Sequence, residues 1–231
     1  MLDGFARALP TMRQSYAAPL NGYGALTNPS LVSLLAFELF RRWSADGAPI
    51  TGESAQRLLD EEFGGTSMTV AELPRYESST GSANTRHDRG NIQLALRETP
   101  ITPIVDLAEN MKAIGPALGA VGNPMVRHRL PSCGVLEYAA CDAIWEPFII
   151  ELKAVNRGFG VRDLRQLLLY SVLLELSGGR NSTHTGVLVN PALGEFVAVS
   201  LEQVALVASG IQFVELAADI AEYLVGSSAS G

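Results

Sequence analysis

Lysine is scarce in this chain: of its seventeen Lys and Arg residues, fifteen are arginine and two are lysine, Lys112 and Lys153. Lys153 sits inside an apolar run, Pro147-Phe-Ile-Ile-Glu-Leu-Lys-Ala-Val155. Arginine spreads its charge over a planar fork and stays protonated, whereas lysine delivers a compact charge to one oxygen and has a pKa that neighbours can tune. A lysine kept in an arginine-rich chain therefore points to chemistry. In a strand, residues two apart share a face, so Glu151 and Lys153 point one way while Phe148, Ile150 and Leu152 point the other. Asp142 lies nine residues before Glu151, in Ala139-Ala-Cys-Asp-Ala-Ile-Trp145, and comes near it if the two strands pair around Glu146-Pro147. Two carboxylates converging beside a lysine repel unless a cation joins them. A hard divalent ion held by carboxylates, water and a substrate phosphate resolves that conflict.

These side chains need elements that hold them. Val135 to Trp145 and Phe148 to Val155 read as two largely buried strands around a Glu146-Pro147 turn. Val161 to Leu176 reads as a helix stopped by Gly178-Gly179, with Gln166 and Tyr170 four residues apart on one face and Asp163 a turn earlier. Upstream come a helix from Val105 to Leu118, a short strand from Met125 to Leu130 and a turn at Pro131 to Gly134. Downstream, Thr185 to Val189 and Phe196 to Val199 form a hairpin-like pair. Ser200-Leu-Glu-Gln203 resembles a capping box opening a helical region to Val225, broken at Gly210. Residues 1 to 28 lack a clear period and read as an irregular arm. Helices are expected from Leu31 to Trp43 and from Ser54 to Glu62, and the polar, turn-rich stretch Pro74 to Gly90 reads as a mobile loop.

The combination of Asp142, then Glu151-Leu-Lys153, then Gln166-Leu-Leu-Leu-Tyr170 resembles the PD-(D/E)xK nuclease superfamily, in its RecB-like branch with a Q-x-x-x-Y helix. The resemblance covers roughly residues 103 to 200. It implies an α/β fold with a restriction-endonuclease-like αβββαβ core and a mixed central sheet in residues 101–231. Residues 1–100 are then a mostly helical region for partner or substrate contacts, carrying the mobile loop 74–90. The resemblance further implies that Asp142 and Glu151 bind Mg2+ or Mn2+, with the backbone carbonyl of Leu152 as a further ligand. Lys153 would orient the attacking water or stabilise the charged transition state, and Gln166 and Tyr170 would position the substrate strand or the lysine. Cys141 stands where the family pattern has proline before the aspartate. Glu38, Glu109 and Glu137 compete for the N-terminal acidic position. The activity implied is metal-dependent hydrolysis of DNA phosphodiester bonds, in restriction, anti-phage defence or repair. The alternatives are a nuclease-fold binding or scaffolding subunit acting through a partner, and an RNA-directed nuclease.

Composition narrows the field. With 231 residues, 47% hydrophobic and 18% charged, the chain can bury a real core and reads as ordinary globular protein. Its net charge of −7 argues against a broad nucleic-acid-binding face, because phosphate neutralisation needs clustered Lys and Arg. What is left is local: Arg127 and Arg129 around His128, and Arg157, Arg162 and Arg165, flank the segment of Lys153 as candidate nucleic-acid contacts. DNA affinity would then be borrowed from a homodimer mate or a partner protein. Cys133 and Cys141 are too few for a disulfide framework or a four-cysteine metal site. No run reaches about 18 apolar residues, so no membrane span is expected. No basic stretch followed by a long apolar run opens the chain, so a cytoplasmic protein is expected. His87-Asp88 lies in a polar stretch and reads as solvated, and no serine or cysteine nucleophile motif is present.

Overall fold

Short apolar runs alternate with helices along the chain, and they assemble as α/β. The structure, a computed structural model, describes residues 2–26, 29–63, 101–131, 133, 139–177 and 185–228. Among them are seven α-helices and a six-stranded mixed, open sheet. The helices are α1 (Leu2–Met12), α2 (Pro29–Asp46), α3 (Gly52–Phe63), α4 (Ile101–Leu118), α5 (Val161–Leu176), α6 (Leu201–Ser209) and α7 (Phe213–Ser228). The strands are β1 (Gln14–Ser15), β2 (Met125–Leu130), β3 (Ala139–Trp145), β4 (Phe148–Leu152), β5 (Thr185–Asn190) and β6 (Glu195–Ser200), in the spatial order β1-β6-β5-β4-β3-β2. Only β4 and β5 run parallel, with α5 between them in the chain; every other neighbouring pair is antiparallel. A parallel pair requires such a crossover, whereas β3 and β4 are joined by the short turn expected at Glu146-Pro147.

The described residues of Met1–Pro19 and Lys112–Gly231 form one compact unit, and those of Leu20–Met111 another. In the first, the central strands are buried on both faces: Ile149 and Ile150 on β4, and Val187, Leu188 and Val189 on β5, are essentially inaccessible. That is the signature of continuous apolar runs in strands covered on both sides. Ile144, Ile149, Leu188, Val197 and Val199 pack against Leu164, Leu167 and Leu173 of α5 and against α6 and α7. Gly186 lets α5 come close, since a Cβ there would meet Leu167 Cδ2 at 2.8 Å. On the opposite face, Gly115 of α4 lies against the buried indole of Trp145, whose Nε1 donates to the Gly122 carbonyl at 2.8 Å.

The described residues 2–26 differ from the irregular arm expected of residues 1 to 28. Leu2, Phe5, Ala6, Leu9 and Met12 recur at helical spacing, and α1 packs that stripe on the core beside α5 to α7. β1 then adds to the β6 edge, and Tyr16 packs edge-on against Phe196 with ring centroids 6.0 Å apart. Gly194, at φ 64, admits this segment: a Cβ there would sit 2.2 Å from the Ala17 carbonyl oxygen. The break at Gly210 falls as expected, with that glycine at φ 81 closing α6. Ser200 Oγ accepts from the Gln203 N–H at its start.

In the second unit α2 buries Leu31, Val32, Leu35, Ala36, Leu39 and Phe40 and packs on α3. Arg42 bridges to Glu61 at 2.7 Å. The loop expected at residues 74–90, the strand start at 135–138 and the helix stop at 178–179 lie outside the described residues. No single helix among the described residues is long and apolar enough to cross a membrane.

Candidate active site

Strand register brings the acidic residues together. Ala143 pairs with Ile150 and Ile144 with Ile149 across β3 and β4. Continuing that register one step sets Asp142 opposite Glu151, and side chains of directly opposed residues share a face. Asp142 also bridges the strands, accepting the Leu152 backbone N–H at 2.8 Å through Oδ2. Lys153 follows the last residue of β4, and its own N–H extends the parallel ladder to the Val189 carbonyl at 2.7 Å.

Lys153 is 8% exposed and Glu151 2%, so the charged heads meet in a largely dry setting. The Lys153 ammonium donates to Glu151 Oε1 at 2.7 Å and to Gln166 Oε1 at 2.8 Å. Gln166 in turn donates through Nε2 to the Tyr170 hydroxyl at 3.0 Å. The polarity of this relay follows from the lysine, which has donors and no acceptor: Gln166 must present its oxygen to Lys153 and its amide nitrogen to Tyr170. Glu151, Lys153, Gln166 and Tyr170 thus form one hydrogen-bonded chain from β4 to α5.

The electrostatics of the two carboxylates are strained. Burial pushes Asp142 up to about 6, against the opposing pull of the Leu152 N–H, Lys153 and Arg127. Burial first, and then the Asp142 charge, push Glu151 well above the ordinary carboxylate range, while Lys153 pulls the other way. Glu151 Oε2 is fully buried and has no hydrogen-bond partner among the described residues. A buried carboxylate oxygen left without a partner is costly, and a cation lying between it and Asp142 satisfies both groups. Among the described residues no cluster of three or more His, Cys, Asp or Glu side chains gathers in a metal-binding arrangement. Two carboxylates with water and substrate oxygens are a sufficient set for magnesium, which rarely takes an all-protein cage. Leu152 is buried at the end of β4, its N–H committed to Asp142.

The neighbours are passive. The Cys141 thiol is pushed up by burial and by the charges of Asp142 and Glu151, so it stays protonated and is no nucleophile. Tyr170 is pushed up to about 12, mainly by burial and then by Glu151, and keeps its proton.

The five candidate arginines separate. Arg157 forks onto Asp163 at 2.7 and 3.0 Å, and Asp163 also accepts the Gly160 N–H at 2.8 Å at the start of α5. Burial opposes ionisation of Asp163, yet Arg157 and the Gly160 N–H hold its carboxyl below the ordinary range. Arg162 and Arg165 are exposed on α5, and Arg129 is exposed on β2. Arg127 is half-buried on β2, near enough for its charge to act on Asp142. Of the acidic alternatives, Glu38 is bonded by Arg41 and Arg42 within α2, Glu109 lies on α4 in the Leu20–Met111 unit, and Glu137 is outside the described residues.

Asn190 was not singled out by sequence reasoning. It is 1% exposed and donates to the Val155 and Arg157 carbonyls at 2.7 and 3.1 Å, fixing the segment that follows Lys153. Its position before Pro191 suggests only a turn, and nothing in the sequence tells that its amide folds inward. No family model, curated protein or solved structure matches the chain.

Proposed function

We propose that the chain is a metal-dependent nuclease of the PD-(D/E)xK type, RecB-like branch, hydrolysing DNA phosphodiester bonds in restriction, anti-phage defence or repair. The observation that carries this reading is the buried, unpartnered Glu151 Oε2 beside Asp142, with the Lys153 ammonium fixed on the other oxygen of the same carboxylate. The order helix, three antiparallel strands, helix, parallel strand supports a restriction-endonuclease-like αβββαβ core, with β6 and β1 as additions.

Asp142 and Glu151 would hold Mg2+ or Mn2+, and when bound the ion supplies Lewis-acid polarisation of the phosphodiester and neutralises the carboxylates. Lys153 acts at the reacting phosphate. Its ammonium is held by Gln166 and Glu151, so it meets developing negative charge already oriented and with little water to displace. Gln166 fixes the lysine, and Tyr170 fixes Gln166. The surrounding apolar packing strengthens each of these interactions by lowering the local dielectric.

The test is cleavage of plasmid and linear DNA with Mg2+ or Mn2+ by the wild type and by Lys153→Ala. The expected loss is about 100-fold or more, as for removal of a group stabilising transition-state charge. A folded Lys153→Ala protein that cuts at the wild-type rate, or a wild type that binds a partner and never cuts, would overturn the reading.

A further inference from the structure

One row of residues crosses the sheet at the candidate site. Leu188 on β5 pairs with Glu151 on β4, and the β3–β4 register places Asp142 opposite Glu151. On β2, Val126 pairs with Ala143 and His128 with Cys141, so Arg127 stands at the position facing Asp142. The row runs Leu188, Glu151, Asp142, Arg127, from the buried middle of the sheet to β2, its outermost strand among the described residues.

Arg127 is unusual in its backbone. It has φ 54, and among the described residues no other non-glycine residue has a positive φ. Left-handed geometry crowds the Cβ of an L-residue, and glycine, asparagine or aspartate would be the ordinary occupant. An arginine kept there holds a strained conformation that a glycine would relieve, and such strain persists where the side chain is needed. Among the described residues its guanidinium makes no hydrogen bond and no ion pair, although its charge reaches Asp142. Arg157, by contrast, has both of its terminal nitrogens committed, Nη1 and Nη2 to Asp163.

We propose that Arg127 binds a phosphate of the nucleic-acid strand lying over Asp142, entering from the β2 edge, so that the site grips its substrate between Arg127 and Lys153. The proposal rests on the nuclease reading and names the group that anchors the substrate. A guanidinium suits the task because its planar donors grip two phosphate oxygens at once. Lys153 does the complementary work of a point charge beside Glu151, two residues further along the same face.

The experiment measures binding of a short fluorescein-labelled DNA duplex by anisotropy over a range of salt concentrations, with Ca2+ replacing Mg2+. Arg127→Gly is the informative variant, because glycine accepts the left-handed backbone and the protein should melt at or above the wild-type temperature. Its Kd is expected to rise about tenfold, and the slope of log affinity against log salt to fall by about one, as for loss of one phosphate contact. Arg127→Lys should retain the slope. An Arg127→Gly protein with wild-type affinity and slope would overturn the role of Arg127 while leaving the nuclease reading intact. A wild type that neither binds nor cuts DNA would overturn both.

Discussion

The strain at Asp142 gives a measurement that needs no substrate. Its carboxyl is raised from 3.8 to about 6, with burial as the main cause. The folded state then holds a proton more tightly than the unfolded chain. Asp142 makes no unfavourable contribution below its unfolded value, and its full cost appears once the pH passes about 6. The cost is about 3 kcal/mol at 1.36 kcal/mol per pH unit of displacement. Asp142→Asn removes the charge and keeps an oxygen for the Leu152 N–H. At pH 8 in EDTA the variant is therefore expected to be more stable than the wild type by up to about 3 kcal/mol, or about 6 to 12 °C in Tm for a chain of this size.

Urea unfolding and thermal melts from pH 8 to pH 4 carry the test. The advantage of Asp142→Asn should shrink between pH 6 and pH 4, because the wild-type carboxyl becomes neutral over that range. Mg2+ or Mn2+ should reverse the ranking at pH 8. A ligand at a hundred times its Kd adds about 2.7 kcal/mol to the state that binds it, and Asp142→Asn loses half of the carboxylate pair. A variant equal to or weaker than the wild type at pH 8 without metal would refute the argument. So would an advantage that persists unchanged at pH 4.

Two further substitutions probe the supports of the site. Tyr170→Phe leaves the Gln166 amide without its acceptor and is expected to cost about 1 kcal/mol, with a several-fold fall in cleavage; a loss as deep as that of Lys153→Ala would contradict a supporting role for the tyrosine. Gly115→Ala would ordinarily strengthen a helix, but its Cβ would fall 2.1 Å from carbons of the Trp145 ring, so urea unfolding should show a loss of about 1 to 3 kcal/mol rather than a gain.

Much of the site was legible because its geometry is local. Alternation along β4 puts Glu151 and Lys153 on one face, and the short Glu146-Pro147 connection fixes which residue of β3 stands opposite. Helical spacing likewise pairs Gln166 with Tyr170. What could not be read depends on distant parts of the chain or on rare backbone states. The stripe of Leu2, Phe5, Leu9 and Met12 was concealed by Pro10 inside the helix and by the proline- and glycine-rich residues that follow. β1 exists because Gly194 leaves room for it on β6, a contact across almost the whole chain. The left-handed Arg127 has no sequence signal, since the residue types that announce such geometry are glycine and asparagine.

The choice of lysine at 153 now has a geometric reason beyond its rarity. Its ammonium must touch Glu151 Oε1 and Gln166 Oε1 within a space that leaves it 8% exposed. A guanidinium would bring five donors and a rigid plane to that space, and each donor left unmatched in a buried site is costly. Arginine instead appears at the β2 end of the row, half-buried, where under the proposed function phosphate oxygens would match its fork. Arg127 opposite Asp142 and Lys153 beside Glu151 cancel the two carboxylates formally, so a chain of net charge −7 carries a locally neutral cluster here. Under the proposed function, a divalent ion held by Asp142 and Glu151 would turn that cluster positive. Under the proposed function, affinity for substrate and occupancy by metal would be coupled through Asp142, which faces Arg127 on one side and Glu151 on the other.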